Sequence, residues 1–198
     1  MKIYLFSALL FMSLATHAQK KTMMTLADLP ASIDTTTGGV SYLQIIDVPN
    51  TSAALLFERT KSWLVDSFQS AKAIIDSEDK ETGSIAAKPV FTITSGKGGF
   101  FNTRQVTHKT LIDIRCKDNR LRCEVRVLEL VPSMTERSLG AVGNLPIEIA
   151  NMTFLRMISK KGFLYENDAL HFKQVDEYYK SLLQQIKKAA LTPGKGEF

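Results

Sequence analysis

Four carboxylates crowd one short stretch of the chain, "IIDSEDKETGSIAAK" from Ile74 to Lys88, where Asp76, Glu78, Asp79 and Glu81 precede Gly83. Such a cluster is compatible with calcium, with acid/base catalysis, or with a solvated bend. An EF-hand loop places oxygen ligands at alternate positions and glycine at the sixth. Counted from Asp76, the fifth residue is Lys80 and the sixth is Glu81, so the calcium pattern fails. A catalytic carboxylate pair needs converging side chains, which a solvated turn rarely supplies. The stretch is expected to be a charged bend from helix to strand, with Gly83 at positive φ.

The other reactive residues are sparse. Beyond the first eighteen residues the histidines are His108 and His171, and neither has a Cys, Asp or His at metal spacing on its own element. No metal ligand set, cofactor motif or catalytic residue is assigned, and no Gly-x-Ser-x-Gly elbow occurs. "SGKGGFFNTR" lacks the Gly-x4-Gly-Lys-[Ser/Thr] order of a phosphate loop and reads as a flexible connection between strands. Its Lys97, Phe100, Phe101 and Arg104 remain candidates for ligand or partner contact, together with Arg115 and Arg122 farther on.

Cys116 and Cys123 lie in "KTLIDIRCKDNRLRCEVRVLELV", two strands around a polar centre. With Asp118 and Asn119 as the turn, Arg115 would face Arg122 and Asp113 would face Glu124. Like charges directly opposite are destabilising. Charge therefore favours a register in which Arg115 faces Glu124, Asp113 faces Arg126, and Asp118–Leu121 forms a four-residue loop. Cys116 then sits across from Cys123, close enough for a disulfide. Buried free thiols pack well and are expected in preference to the bond. Cys-x6-Cys is neither a redox motif nor a zinc site.

These residues must be positioned by elements that the hydrophobic pattern marks. "MKIYLFSALLFMSLATHAQ" has Lys2, an apolar run to Leu14 and small residues up to Ala18, the plan of a secretory signal peptide over residues 1–18. The run is shorter than the roughly 20 residues a membrane span needs, and no transmembrane segment is expected in the mature chain. Lys2 is the only charged residue removed, so the formal charge falls from +5 to +4. Residues 19–40 have no clean period and read as an arm or linker. A single domain is expected over 41–190, with 191–198 as a tail.

Within that domain "SYLQIIDVP" reads as a strand through Leu43, Ile45 and Val48. Asn50, Thr51 or Ser52 caps a long helix whose stripe is Phe57, Leu64, Phe68, Ala71 and Ile75. Ile85, Val90, Phe91 and Ile93 are strand positions. "NLPIEIANMTFLRMISKKG" has helix signals from Asn144 to Gly162. "ENDALHFKQVDEYYKSLLQQIKKAAL" is a clearer helix with Phe172, Val175, Tyr179, Leu182, Ile186 and Ala189 on one face. The expected architecture is α+β, an antiparallel sheet of four to six strands with the two main helices across one face.

The strand, then "FERTKSWLVDSFQSAKAIIDSEDKETGSI", then more strands and a terminal helix resembles the bacterial domain of unknown function 4468. The Lys61-x-Trp63-Leu64 core and the "EDKETGSI" bend carry the resemblance, which runs from Tyr42 to Leu130, with "SGKGGFF" as counterpart of the family's glycine-containing loop. It implies a fold like that of the TATA-box-binding protein and an exported habit, but no activity. Although Arg115, Lys117, Arg120, Arg122 and Arg126 cluster on the hairpin, Asp113 and Glu124 dilute that charge and export removes the chromosome, so no nucleic acid is expected.

Two functions of different class follow. One is a non-enzymatic binding or interaction module of the envelope, periplasmic or secreted, that engages an envelope protein, glycan or small molecule. The other is a hydrolase-like enzyme whose site is assembled from scattered polar residues. Export itself has a direct check. The protein recovered outside the cytoplasm should have the intact mass of a chain beginning at Gln19; recovery of only the uncleaved chain would remove the signal peptide.

Overall fold

The computed structural model describes residues 25–30, 32–68, 74–96, 103–132, 145–146, 156 and 166–193. Residues 1–18, where a signal peptide is expected, lie outside them. The elements are β1 (Val40–Asp47), α1 (Ala53–Ser67), β2 (Ile75–Asp79), β3 (Ser84–Ala87), β4 (Val90–Gly96), β5 (Thr103–Lys117), β6 (Arg120–Pro132), β7 (Leu145–Pro146) and α2 (Glu166–Leu191). The strands form one antiparallel sheet in the order β1-β6-β5-β3-β2. Among the described residues there are seven strands rather than four to six, the last of two residues. β5 is long enough to hold two partners along one edge. β3 pairs with Ile112–Arg115, and β4 pairs with Thr103–Lys109.

Side-chain alternation along β5 and β6 divides the sheet into two chemically different faces. His108, Thr110, Ile112, Ile114 and Cys116 of β5, with Leu121, Cys123, Val125 and Val127 of β6, are all buried. Both helices cover that side. α1 contributes Leu56, Phe57 and Leu64; α2 contributes Phe172, Val175, Tyr179, Leu182, Leu183 and Ile186. Tyr179 stands at the centre, fully buried and stacked 5.2 Å from Tyr42. Its hydroxyl shares hydrogen bonds with Thr110 Oγ1 at 3.0 Å and His108 Nδ1 at 3.3 Å. Those contacts satisfy polar groups that would otherwise be costly in a core. Among the described residues, no helix is long and apolar enough to cross a membrane.

The long α+β pattern is as the hydrophobic periods predict, but several local expectations are corrected. α1 ends at Ser67, and Phe68 is extended at φ −124°, ψ 119°. Ile75 is therefore a strand residue and not the end of the helical stripe; Ala71 lies outside the described residues. The apolar spacing continued past the point where the backbone left the helix, because Phe68 packs on Trp63 and Phe91 instead. In β1 the inward phase is Val40, Tyr42 and Ile46, whereas Leu43 and Ile45 point outward. Both phases of this strand are apolar, and stacking of Tyr42 on Tyr179 selects between them. Residues 145–146 begin the expected 144–162 helix but pair with β6 as strand. Arg156 is helical, and the remainder of that segment lies outside the described residues.

The acidic stretch is a β-hairpin of its own, β2–β3, rather than a bend out of a helix. Asp79 Oδ1 accepts from the N–H groups of Glu81 and Thr82 at 2.9 and 3.2 Å, which closes the turn. Gly83 has φ 67°, as expected, and its carbonyl accepts from Cys116 N at 2.8 Å. A Cβ on Gly83 would meet Cys116 O at 2.6 Å. Two of the other acids find cations: Asp76 pairs with Lys88, and Glu78 with Lys61 of α1.

Gly83→Ala combines left-handed backbone with that collision, so it should destabilise by about 2–3 kcal/mol, more than either effect alone. Urea denaturation checks this; a loss below about 0.5 kcal/mol, the usual range of a neutral surface change, would show that the turn relaxes freely.

Candidate functional site

The β5–β6 hairpin sets what the uncovered face displays. Its register is Lys117↔Arg120, Arg115↔Arg122, Ile114↔Cys123 and Asp113↔Glu124, with Asp118–Asn119 as a two-residue turn. The four-residue loop, and with it Arg115 opposite Glu124 and Cys116 opposite Cys123, is not found. The tight turn prevails because it is docked. Asp118 Oδ1 accepts from Ala53 N at 2.8 Å and so helps cap α1. Asn119, at φ 64°, donates its N–H to Thr51 O at 2.8 Å and accepts through its carbonyl from Val48 N at 2.8 Å. Several hydrogen bonds at about 1 kcal/mol each outweigh cross-strand charge effects of a few tenths of a kcal/mol.

Repulsion is relieved along the strands. Arg122 Nη2 donates to Glu124 Oε2 at 2.6 Å and Nη1 lies 4.0 Å from Asp113 Oδ2. Arg115 Nε reaches Asp113 Oδ1 at 3.5 Å, and Arg126 Nε lies 3.7 Å from Glu124 Oε1. The two carboxylates are thus half-buried beneath more exposed guanidinium groups. Beside this ladder, Leu43 faces Glu124 and Ile45 faces Arg122 across the β1–β6 pairing. These two side chains are 56% and 58% exposed, an unusual state for adjacent same-face strand positions.

β1 also lies at the edge of the sheet. Ser41 N donates to Ser32 O and Asp34 N to Gly39 O, closing a bridge between Ile33 and Val40 that covers only the start of the strand. By alternation from Ser41, the N–H and C=O groups of Leu43, Ile45 and Asp47 point away from β6. No described residue pairs with that part of the edge.

The candidates read from sequence do not converge. Arg115 and Arg122 are brought opposite each other on the open face. Lys97, Phe100 and Phe101 lie outside the described residues. Arg104 pairs through its backbone with Ser95 near the other end of β5, roughly 35 Å along the strand from Arg115 at about 3.3 Å per residue. Leu43 and Ile45 escaped notice because apolar strand residues suggest a core; only the larger aromatic partner at Tyr42 hinted at the opposite phase. The described residues contain no group of three His, Cys, Asp or Glu side chains placed to hold a metal.

Cys116 and Cys123 are free thiols on the buried face, set diagonally because Cys116 is opposite Leu121. Burial raises the Cys116 thiol to about 11 and the Cys123 thiol to about 12. Thiolates, the reactive forms, are therefore scarce in the folded protein near neutrality.

With this geometry in view, the comparisons with known proteins fall into place. Residues 42–130 match the family described as "Domain of unknown function (DUF4468) with TBP-like fold". A DUF4468 family protein from Bacteroides ovatus superposes with a TM-score of 0.62 at 14% identity, over 84% of this chain and 95% of the other. A TBP-like protein from Parabacteroides distasonis superposes with a TM-score of 0.58 at 18% identity, over 79% of this chain and 95% of the other. At these identities the likeness is one of fold. No curated protein matches the chain.

Native protein at pH 8 should leave both cysteines unmodified by an alkylating reagent, and denaturation without reductant should release two reactive thiols. A mass showing neither modified after denaturation would demonstrate a bridge. The linkage has a definite sign: the thiols ionise in the unfolded chain near pH 9, so stability falls as pH rises from about 9 through 11–12.

Proposed function

We propose that the protein is an exported envelope component, periplasmic or secreted, whose uncovered sheet face and β1 edge bind a protein partner without catalysis. One observation carries the reading. Leu43 and Ile45 are exposed together on an edge strand whose outward backbone groups have no partner over Leu43–Asp47 among the described residues. Such an edge is a template for strand addition, in which backbone hydrogen bonds supply affinity and alternate side chains supply specificity. Soluble proteins commonly protect edges of this kind with charge, proline or a covering element.

The charges favour a polypeptide over a polyanion. Arg122, Glu124, Arg126, Asp113 and Arg115 alternate in sign along their strands, so that two carboxylates offset two of the three guanidinium charges. A nucleic acid or sulfated glycan would gain more from an unmixed basic surface. The hydrolase-like alternative finds less support: Asp47 is held by Arg120 at 2.9 Å and Asp118 by the start of α1, so the carboxylates at the hairpin tip are already engaged. The apolar run before Ala18 supports export.

A photo-crosslinking residue placed at Ile45 in the native host should yield a discrete protein adduct, abolished by Leu43→Asp. The same residue at Glu177, on the exposed side of α2, should not. The introduced carboxylate would stand opposite Glu124, so the Leu43→Asp protein should lose about 1 kcal/mol at most and remain folded. Absence of any adduct at Ile45, or an identical adduct from both positions, would dismiss the open face as the binding surface.

A further inference from the structure

On the helix-bearing side, a partly closed cavity of about 130 Å³ opens between the end of α1, the middle of α2 and β4. We propose that this cavity is a binding site for a neutral single-ring aromatic group bearing a hydroxyl, such as a phenol. It lies across the sheet from the open face and is independent of the function proposed above.

The lining defines the chemistry. Trp63 meets Phe68 edge-on with centroids 6.0 Å apart, Phe68 meets Phe91 at 5.6 Å, and Phe91 meets Tyr178 edge-on at 5.2 Å. A run of rings at these angles leaves faces and edges to which a further ring can add in the same offset or T-shaped manner. Phe91 is buried, whereas Trp63, Phe68 and Tyr178 are only half-buried, so their ring surfaces remain accessible from the cavity side. The volume is close to that of an apolar cavity of about 150 Å³ that accepts benzene, which suits a single ring.

The rim adds polarity without charge. Ser181 and Gln185, one turn apart on α2 and both exposed, border the cavity with Ser67 from α1. They offer donors and an amide acceptor to one hydroxyl. Among the described residues, no carboxylate, lysine or arginine lines the cavity, which suits a neutral ligand. A sugar ring, with hydroxyl groups all round, would leave several of them facing aromatic surface.

Trp63 is the only tryptophan in the chain, so its indole N–H gives one unambiguous NMR signal from within the lining. Titration of the ¹⁵N-labelled protein with p-cresol should move that signal along a saturable curve with a dissociation constant on the order of 1 mM, the range of a one-ring ligand. Methyl glucoside at equal concentration should leave it in place. Ser181→Phe, which fills the mouth from an exposed position, should abolish the saturable shift while the remaining backbone spectrum stays that of the folded protein. Gln185→Leu, a milder change, should weaken binding several-fold. A shift that never saturates, one that is equal in wild type and both variants, or saturation by the glucoside instead would overturn the assignment.

Discussion

The hydrogen bonds from the Asp118–Asn119 turn to the start of α1 govern more of this molecule than any other contact. They join a hairpin tip to a helix N-terminus sixty-five residues earlier in the chain, between Asp118 Oδ1 and Ala53 N. Once that turn is seated, the pairing of β5 with β6 has one register. The register in turn decides that Leu121, Cys123 and Val125 face the helices and that Arg122, Glu124 and Arg126 face outward. Asp118 serves two roles through one carboxylate, since it also supplies an anion where the helix dipole is positive.

The sheet is therefore asymmetric in chemistry as well as in coverage. One side is sealed by α1 and α2 around Tyr179, whose hydroxyl binds the buried Thr110 and His108. Burial without charge compensation pushes the phenols of Tyr179 and Tyr42 upward, so both stay neutral at the centre of the core. The other side holds two carboxylates beneath a row of guanidinium groups, with exposed aliphatic side chains that include Leu43 and Ile45. Two surfaces of different chemistry result: a mixed-charge face with an open edge, and a small aromatic recess between α1, α2 and β4.

Much of the architecture was legible in the residue pattern. The α2 stripe from Phe172 to Ile186 is strict in its period, and the helix spans the stretch that the pattern marks. Gly83 stood out as the residue for a left-handed turn, and the structure places it there. The site was far less legible. Leu43 and Ile45 alternate as well as Tyr42 and Ile46 do, and nothing local says which pair faces water. Trp63, Phe68, Phe91 and Tyr178 come from three elements, with no spacing in sequence to announce that they line one cavity. The hairpin register was argued from pairwise charge, a term too small to compete with the docking of its turn.

What the sequence by itself determined are the properties set by neighbours along the chain: an α+β composition of strands and two main helices, the start of α1 and the period of α2, the need for glycine at position 83, and the absence of any familiar catalytic motif. Only the tertiary structure decided which phase of β1 is buried, where α1 stops, how β5 and β6 are paired, and which aromatic rings meet. The physical reason is the same in each case. Local periodicity offered more than one nearly equal solution, and contacts between residues distant in the chain separated them.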